Sequence, residues 1–236
     1  MKFQNMELFY VEASVRSEIE LSSEESKHLI KVLRYKKGDR VLVTDGKGNM
    51  HVAEIAIDDI KTCVLNRGDK IPGIHKHPYS LHIAIAPTKN TDRLEWFVEK
   101  ATEIGVDRIS LIICSHSERK EMKTARLEKI AISALKQSMS AYKPEISECQ
   151  DFNTFIQSCR EKQRYICSMD AEELLIKRYL KGEDTVILIG PEGDFNKDEI
   201  MQAGRHGFFP VSLGPSRLRT ETAALLSVAS ILNLNL

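Results

Sequence analysis

The stretch that decides the fold is TVILIGPEGDF, residues 185–195. Residues 186–189, Val-Ile-Leu-Ile, form an apolar run that suits a strand buried on both faces. Gly190-Pro191-Glu192-Gly193-Asp194-Phe195 then carries turn residues, and Asn196 with Glu199 supplies a capping box for a helix over 197–206. A buried strand entering a helix through a glycine turn is the repeating unit of a parallel sheet.

Working outward, the same grammar recurs. Strands are expected at 81–86, 108–114, 164–168, 185–189 and 210–213. Helices are expected at 92–104, 125–140, 152–161, 171–180, 197–206 and 220–232. The reading is α/β, a largely parallel sheet with helices on both faces. Upstream the pattern changes to short strands at 8–13, 40–45, 50–57 and 62–66, with a hairpin turn at Asp45-Gly46-Lys47-Gly48-Asn49. One helix interrupts them, capped by Ser22 with Glu25 and striped by Leu29, Val32 and Leu33 through Arg34. This suggests a small barrel-like β domain. The proline- and glycine-bearing stretch 68–80 reads as a linker, so domains are expected at 1–72 and 73–236.

Composition excludes several classes. The 236 residues are 42% hydrophobic and 29% charged, ordinary for a globular protein, and no apolar run approaches the roughly 20 residues of a membrane span. The first ten residues lack secretory-signal features, and five cysteines without a C-x-x-C pair point to free thiols in a reducing, cytoplasmic compartment. No metal site is expected, and His75 and His77 read as solvated linker histidines. With 34 basic and 34 acidic residues, nucleic-acid binding must rest on local patches.

Ligands of such sheets bind beyond the carboxyl ends of the strands, here the loops 87–90, 115–120, 168–170, 190–195 and 214–220. Gly190 and Gly193 let backbone approach a ligand closely. No P-loop and no G-x-G-x-x-G is present, which disfavours an NTPase or a dinucleotide enzyme. In LGPSRLRTET (213–222) Thr220 reads as a helix cap and Glu221 as a complement to the dipole. Arg217 and Arg219 stand at the positive helix end, where cations are disfavoured, and so point to an anionic or electron-rich partner.

LIGPEGDF followed by VSLGPSRLRTETAAL resembles the cofactor-binding signature of the SPOUT methyltransferases. More narrowly it is similar to the RsmE family, which methylates N3 of a uridine in 16S ribosomal RNA. HLIKVLRYKKGDRVLVTDGKG (28–48) resembles that family's PUA-like RNA-binding domain. EWFVEKATEIGVDRI (95–109), SHSERK (115–120) and KIAISALKQS (129–138) resemble its intervening blocks. The resemblance covers nearly the whole chain and implies a deep trefoil knot near 186–225. It further implies S-adenosylmethionine held by Ile189, Gly190, Glu192, Gly193, Leu213, Gly214 and Leu218, with a third loop near Ser168 and Met169. It also implies a homodimer formed through the knot region. Asp194 stands where the family usually has glycine, and Ser140 and Gln4-Asn5-Met6 stand where it commonly has arginines.

The chemistry so implied assigns Arg219, with Arg217, to charge developing on a uracil oxygen, and Glu192 or Glu221 to the N3 proton. Phosphates of the 16S rRNA or small ribosomal subunit would meet Lys27, Lys31 and Arg34, and a second cluster led by Arg119 and Lys120. Trp96 and Phe97, on an amphipathic helix, read as core. The alternatives are a SPOUT enzyme acting on another RNA, a catalytically silent RNA-binding homologue, and a small-molecule transferase on an open sheet.

Overall fold

The computed structural model describes residues 6–12, 17–71 and 77–236. Two compact units divide the chain: Met1–Lys76 with Ile132–Lys143, and His77–Ala131 with Pro144–Leu236. Residues 132–143 fall inside the expected second domain but pack with the first unit. Leu135 and Ala141 are buried in one apolar cluster with Leu8, Leu42 and Met50, a long-range contact that local pattern cannot reveal.

The first unit holds β1 (Leu8–Tyr10), β2 (Glu18–Glu20), β3 (Arg40–Thr44), β4 (Met50–Ile57) and β5 (Val64–Ile71). They form one sheet in the order β1-β3-β4-β5-β2, with β1 parallel to β3 and the other pairs antiparallel. Gly46 and Gly48 take φ of 70° and 92° in the β3–β4 turn, as that hairpin requires. The strand β5 runs into the expected linker, whose residues 72–76, including His75, lie outside the described ones. His77 is no solvated side chain, because it stacks on Tyr79 and both ring nitrogens face the carbonyls of Tyr79 and Gly105.

The first helix also departs from expectation. α1 (Ser23–Lys27) passes into a π-helical turn, His28–Val32. The wider turn shifts the helical phase, so Leu29 is buried and Ile30 and Leu33 pack on the core while Val32 is left 62% exposed. Ser22 accepts from the Glu25 N–H, but the Glu25 carboxylate pairs with Lys136 and does not complete the capping box.

In the second unit β6 (Leu81–Ile85), β7 (Arg108–Ile113), β8 (Glu145–Asp151), β9 (Gln163–Cys167), β10 (Thr185–Ile189) and β11 (Phe209–Val211) form an all-parallel sheet. Their order is β11-β9-β10-β6-β7-β8. The helices are α2 (Thr91–Ile104), α3 (Ala125–Gln137, completed in the first unit), α4 (Phe152–Ser158), α5 (Leu175–Arg178), α6 (Lys197–Arg205) and α7 (Thr220–Asn235).

Alternation along β10 shows why the sheet is covered twice. Ile187 and Ile189 pack with Leu94 and Phe97 of α2 and Val228 of α7, whereas Val186 and Leu188 pack with Phe155 of α4 and Ala203 of α6. Such burial stabilises by about 1.5–3 kcal/mol per large apolar side chain. Three expectations fail here. The sequence pattern predicts no strand at 145–151, yet this mixed polar stretch forms the edge strand β8, a position that tolerates such a sequence. The helix expected at 171–180 shrinks to the single turn of α5. Trp96 is 42% exposed, since Leu94, Phe97, Val98 and Ala101 take the buried face of α2 and turn it outward.

Chain order reverses between β6 and β10. After β6 the chain builds β7 and β8 on one side, then crosses to build β9, β10 and β11 on the other. The crevice beyond the carboxyl ends of the strands at such a reversal is the expected ligand position.

Candidate functional site

A cavity of about 670 Å³ opens there, a volume suited to a cofactor-sized ligand. Three loops line it: the one after β9 through Cys167, Ser168 and Met169, the one after β10, and the one after β11. Ile189, Gly190, Glu192, Gly193, Leu213, Gly214 and Leu218, named from sequence, all line it, as do Arg217 and Arg219. Both arginines are exposed.

Local chemistry explains each wall. Thr220 is the first residue of α7 and does not cap it; Arg219 holds the cap position and makes no side-chain capping bond. The Thr220 hydroxyl donates instead to the Gly190 carbonyl at 3.1 Å, tying the start of α7 to the loop after β10. Gly214 has φ of 124°, and a Cβ there would meet open space, so backbone conformation is what requires glycine. Gly190 and Gly193 have a different reason. A Cβ on Gly190 would lie 3.1 Å from the Phe195 ring, and one on Gly193 3.1 Å from Cβ of His116. Both glycines thus admit neighbouring side chains, and both also line the cavity.

The two remaining strand-end loops brace the wall. The Lys89 N–H donates to Glu192 Oε1 at 3.0 Å, and Lys89 Nζ pairs with Glu118 at 2.8 Å. Arg119 donates to the Lys89 carbonyl at 3.2 Å. The capping box of α6 is complete, and the second oxygen of Glu199 accepts from the Ser115 N–H at 2.7 Å. His116 reaches the carbonyls of Gly193 and Asp194. Sequence reasoning identifies these loops by position but misses the roles of Lys89 and His116.

Glu221 is not a cavity residue. It is 6% exposed, with Oε1 3.7 Å from Arg93 of α2 and Oε2 without a hydrogen-bond partner among the described residues. Its place on the first turn of α7 turns it inward beside Arg93. Cys167 lines the cavity as an apolar wall, because burial pushes its thiol up to about 12. Lys27, Lys31 and Arg34 are exposed in the first unit, but Arg34 lies beyond the helix with φ of 62°, so helical spacing does not relate the three. Among the described residues no group of three or more potential metal ligands gathers, and no helix is long and apolar enough to cross a membrane.

The donor set fits a methyl donor carrying an adenosine and a sulfonium. Apolar Ile189, Leu213 and Leu218 suit a base and a thioether-like chain, loop backbone supplies hydrogen-bonding groups, and carboxylates of Glu192 and Asp194 stand on the lining. Comparison with known proteins agrees in class: the model of the RNA methyltransferase domain matches residues 75–232, and that of the RNA methyltransferase PUA domain matches residues 21–65. A protein of Rickettsia conorii named ribosomal RNA small subunit methyltransferase E is 30% identical over 223 residues, 91% of this chain and 89% of its own. The chain belongs to the ribosomal RNA small subunit methyltransferase E family, RsmE.

Solved structures agree. The crystal structure described as a "probable rRNA-methyltransferase" from Porphyromonas gingivalis has a TM-score of 0.90 at 40% identity, covering 98% of each chain. The Neisseria gonorrhoeae ribosomal RNA small subunit methyltransferase E bound to S-adenosyl methionine has a TM-score of 0.89 at 25% identity, again covering 98% of each chain.

Proposed function

We propose that this protein uses S-adenosylmethionine to methylate N3 of a uridine in the 16S rRNA of the small ribosomal subunit. The observation that carries the reading is the cavity formed by the loops after β9, β10 and β11, with Arg217 and Arg219 exposed on its lining. Bound there, the cofactor supplies an electrophilic methyl group on a positive sulfur. Ile189, Gly190, Glu192, Gly193, Leu213, Gly214 and Leu218 hold it, joined by Ser168 and Met169.

The protein's own groups do the rest. Arg219 hydrogen-bonds a uracil oxygen and stabilises the negative charge left when N3 loses its proton, with Arg217 beside it. Glu192, the nominated carboxylate that lines the cavity, accepts that proton. Glu221 acts through position: paired with Arg93, it sets the first turn of α7 and thereby Arg219 and Thr220. Lys27, Lys31, Arg34 and Arg119 meet RNA phosphates, so affinity falls with salt.

The same reading makes the first unit a PUA-like barrel and threads the chain near 186–225 as a trefoil knot. The return of α7 from the β11 edge to pack on α2 and β6 supports the threading. It also makes the protein a cytoplasmic homodimer. The exposed Leu226 on an α7 whose sequence is largely apolar, and exposed Trp96 on α2, support such an interface.

Three measurements test this. Calorimetric titration with S-adenosylmethionine must show binding, since a silent RNA-binding homologue need not bind it. Mass mapping of small-subunit rRNA nucleosides with and without the gene must show one N3-methyluridine lost. Sedimentation must show a dimer that Leu226→Glu weakens.

A further inference from the structure

His116 stands on the exposed loop after β7, outside the cavity lining, yet it holds the cavity wall. Its Nδ1 lies 3.2 Å from the Gly193 carbonyl oxygen and 3.0 Å from that of Asp194. Carbonyl oxygens only accept, so Nδ1 carries the hydrogen and shares it between the two. The turn it reaches is closed by the Asp194 N–H donating to the Pro191 carbonyl at 2.9 Å. Within that turn Asp194 has φ of 61°, a left-handed conformation that glycine takes freely and aspartate takes only at a cost. The Asp194 side chain offsets part of this by accepting from the Phe195 N–H at 2.7 Å. Gly193 completes the fit, because a Cβ there would press on the His116 side chain at 3.1 Å.

We propose that His116 is a positioning residue for the methyl donor: its Nδ1–H clamps the turn 191–194 in the strained conformation that shapes the cavity. The inference rests on the cavity being the methyl-donor site. Two consequences follow from the geometry. In the neutral ring the proton sits on Nδ1 and Nε2 is bare, the tautomer disfavoured in free histidine. The need for the clamp arises from Asp194, so a residue at ease with positive φ should lessen it.

Titration of the wild type with S-adenosylmethionine comes first, and its failure to bind would overturn the reading of the cavity and this inference with it. Given wild-type binding, His116→Ala and His116→Phe should each raise Kd and KM for the donor roughly 5- to 10-fold, the size of one lost hydrogen bond, with kcat within about twofold. His116→Asn, whose Nδ2 can take the place of Nδ1, should recover most of the affinity. In an Asp194→Gly background the penalty of His116→Ala should shrink to about twofold. Wild-type affinity in both His116→Ala and His116→Phe, or no recovery in His116→Asn, would overturn the clamp while leaving the methyl-donor site intact. Nitrogen-15 spectra of the wild type need no variant: a neutral His116 protonated on Nε2 would equally refute it.

Discussion

At the carboxyl ends of β9, β10 and β11 polar groups face a cavity, whereas at the amino ends of β6, β7 and β8 they close on one another. His82, 2% exposed, sets Nδ1 2.8 Å from Glu161 Oε1 and Nε2 2.8 Å from Ser110 Oγ, which lies 2.6 Å from Ser147 Oγ. The ring donates from Nδ1 to the carboxylate, and the hydroxyls of Ser110 and Ser147 continue the row from Nε2. The serine–histidine–glutamate order resembles a hydrolytic relay, but both serine contacts and the carboxylate are closed within the sheet. The other end keeps a strained Asp194 and two exposed arginines, of which Arg219 holds the cap position of α7 without a capping bond. One end of the sheet is built for stability and the other for a ligand, and the difference lies in which polar groups remain unpaired after folding.

That contrast can be broken in four ways. The largest effect belongs to Arg219→Ala, expected to lower turnover roughly 10²–10³-fold with stability changed by less than about 0.5 kcal/mol. Methyl-transfer assays alongside thermal melts read it, and a stability loss with turnover intact would erase the distinction. Next comes His82→Ala, which leaves a buried carboxylate without its main partner. It should cost about 3–5 kcal/mol, seen as a lower Tm, while S-adenosylmethionine affinity of the folded protein stays unchanged.

The third concerns pH. Burial by itself would raise the Glu161 carboxyl, but the hydrogen bond from His82, together with backbone N–H groups, outweighs burial and holds it at about 2. A carboxyl depressed in the folded state stabilises above its unfolded value, near 4.5. That contribution is lost as pH falls from there through about 2. Denaturant melts between these limits should show wild-type stability falling with acid, and Glu161→Gln should flatten the slope. An unchanged slope in that variant would remove Glu161 from the acid response. The smallest effect is Thr220→Val, which deletes the bond to Gly190 O; about 1 kcal/mol of stability and a fewfold weaker donor binding are expected by calorimetry.

How much of this is legible in the sequence depends on the range of the interaction. The strand at 185–189, the capping box of Asn196 with Glu199 and the left-handed Gly105 ending α2 are local, and each stands where its residue types place it. The loops at the strand ends follow from the parallel pattern, and the seven cofactor candidates in them line the cavity. Glu221 escapes a local reading because its side chain turns toward Arg93, on a helix far away in the chain. Val32 escapes it because a π-helical turn breaks the period on which an apolar stripe is read. The motif at 115–120 is recognisable, yet the contacts of His116 in it are with two carbonyls of another loop, far away in the chain.

By itself the sequence determined most of the elements and the loops that would carry a ligand, though not the edge strands β2 and β8, because hydrophobic period, caps and turn residues act within a few positions. Only the tertiary structure decided which polar groups are paired and which are left over. Pairing depends on side chains brought together across the sheet from distant strands, and the groups left over at the carboxyl ends are the ones available for chemistry.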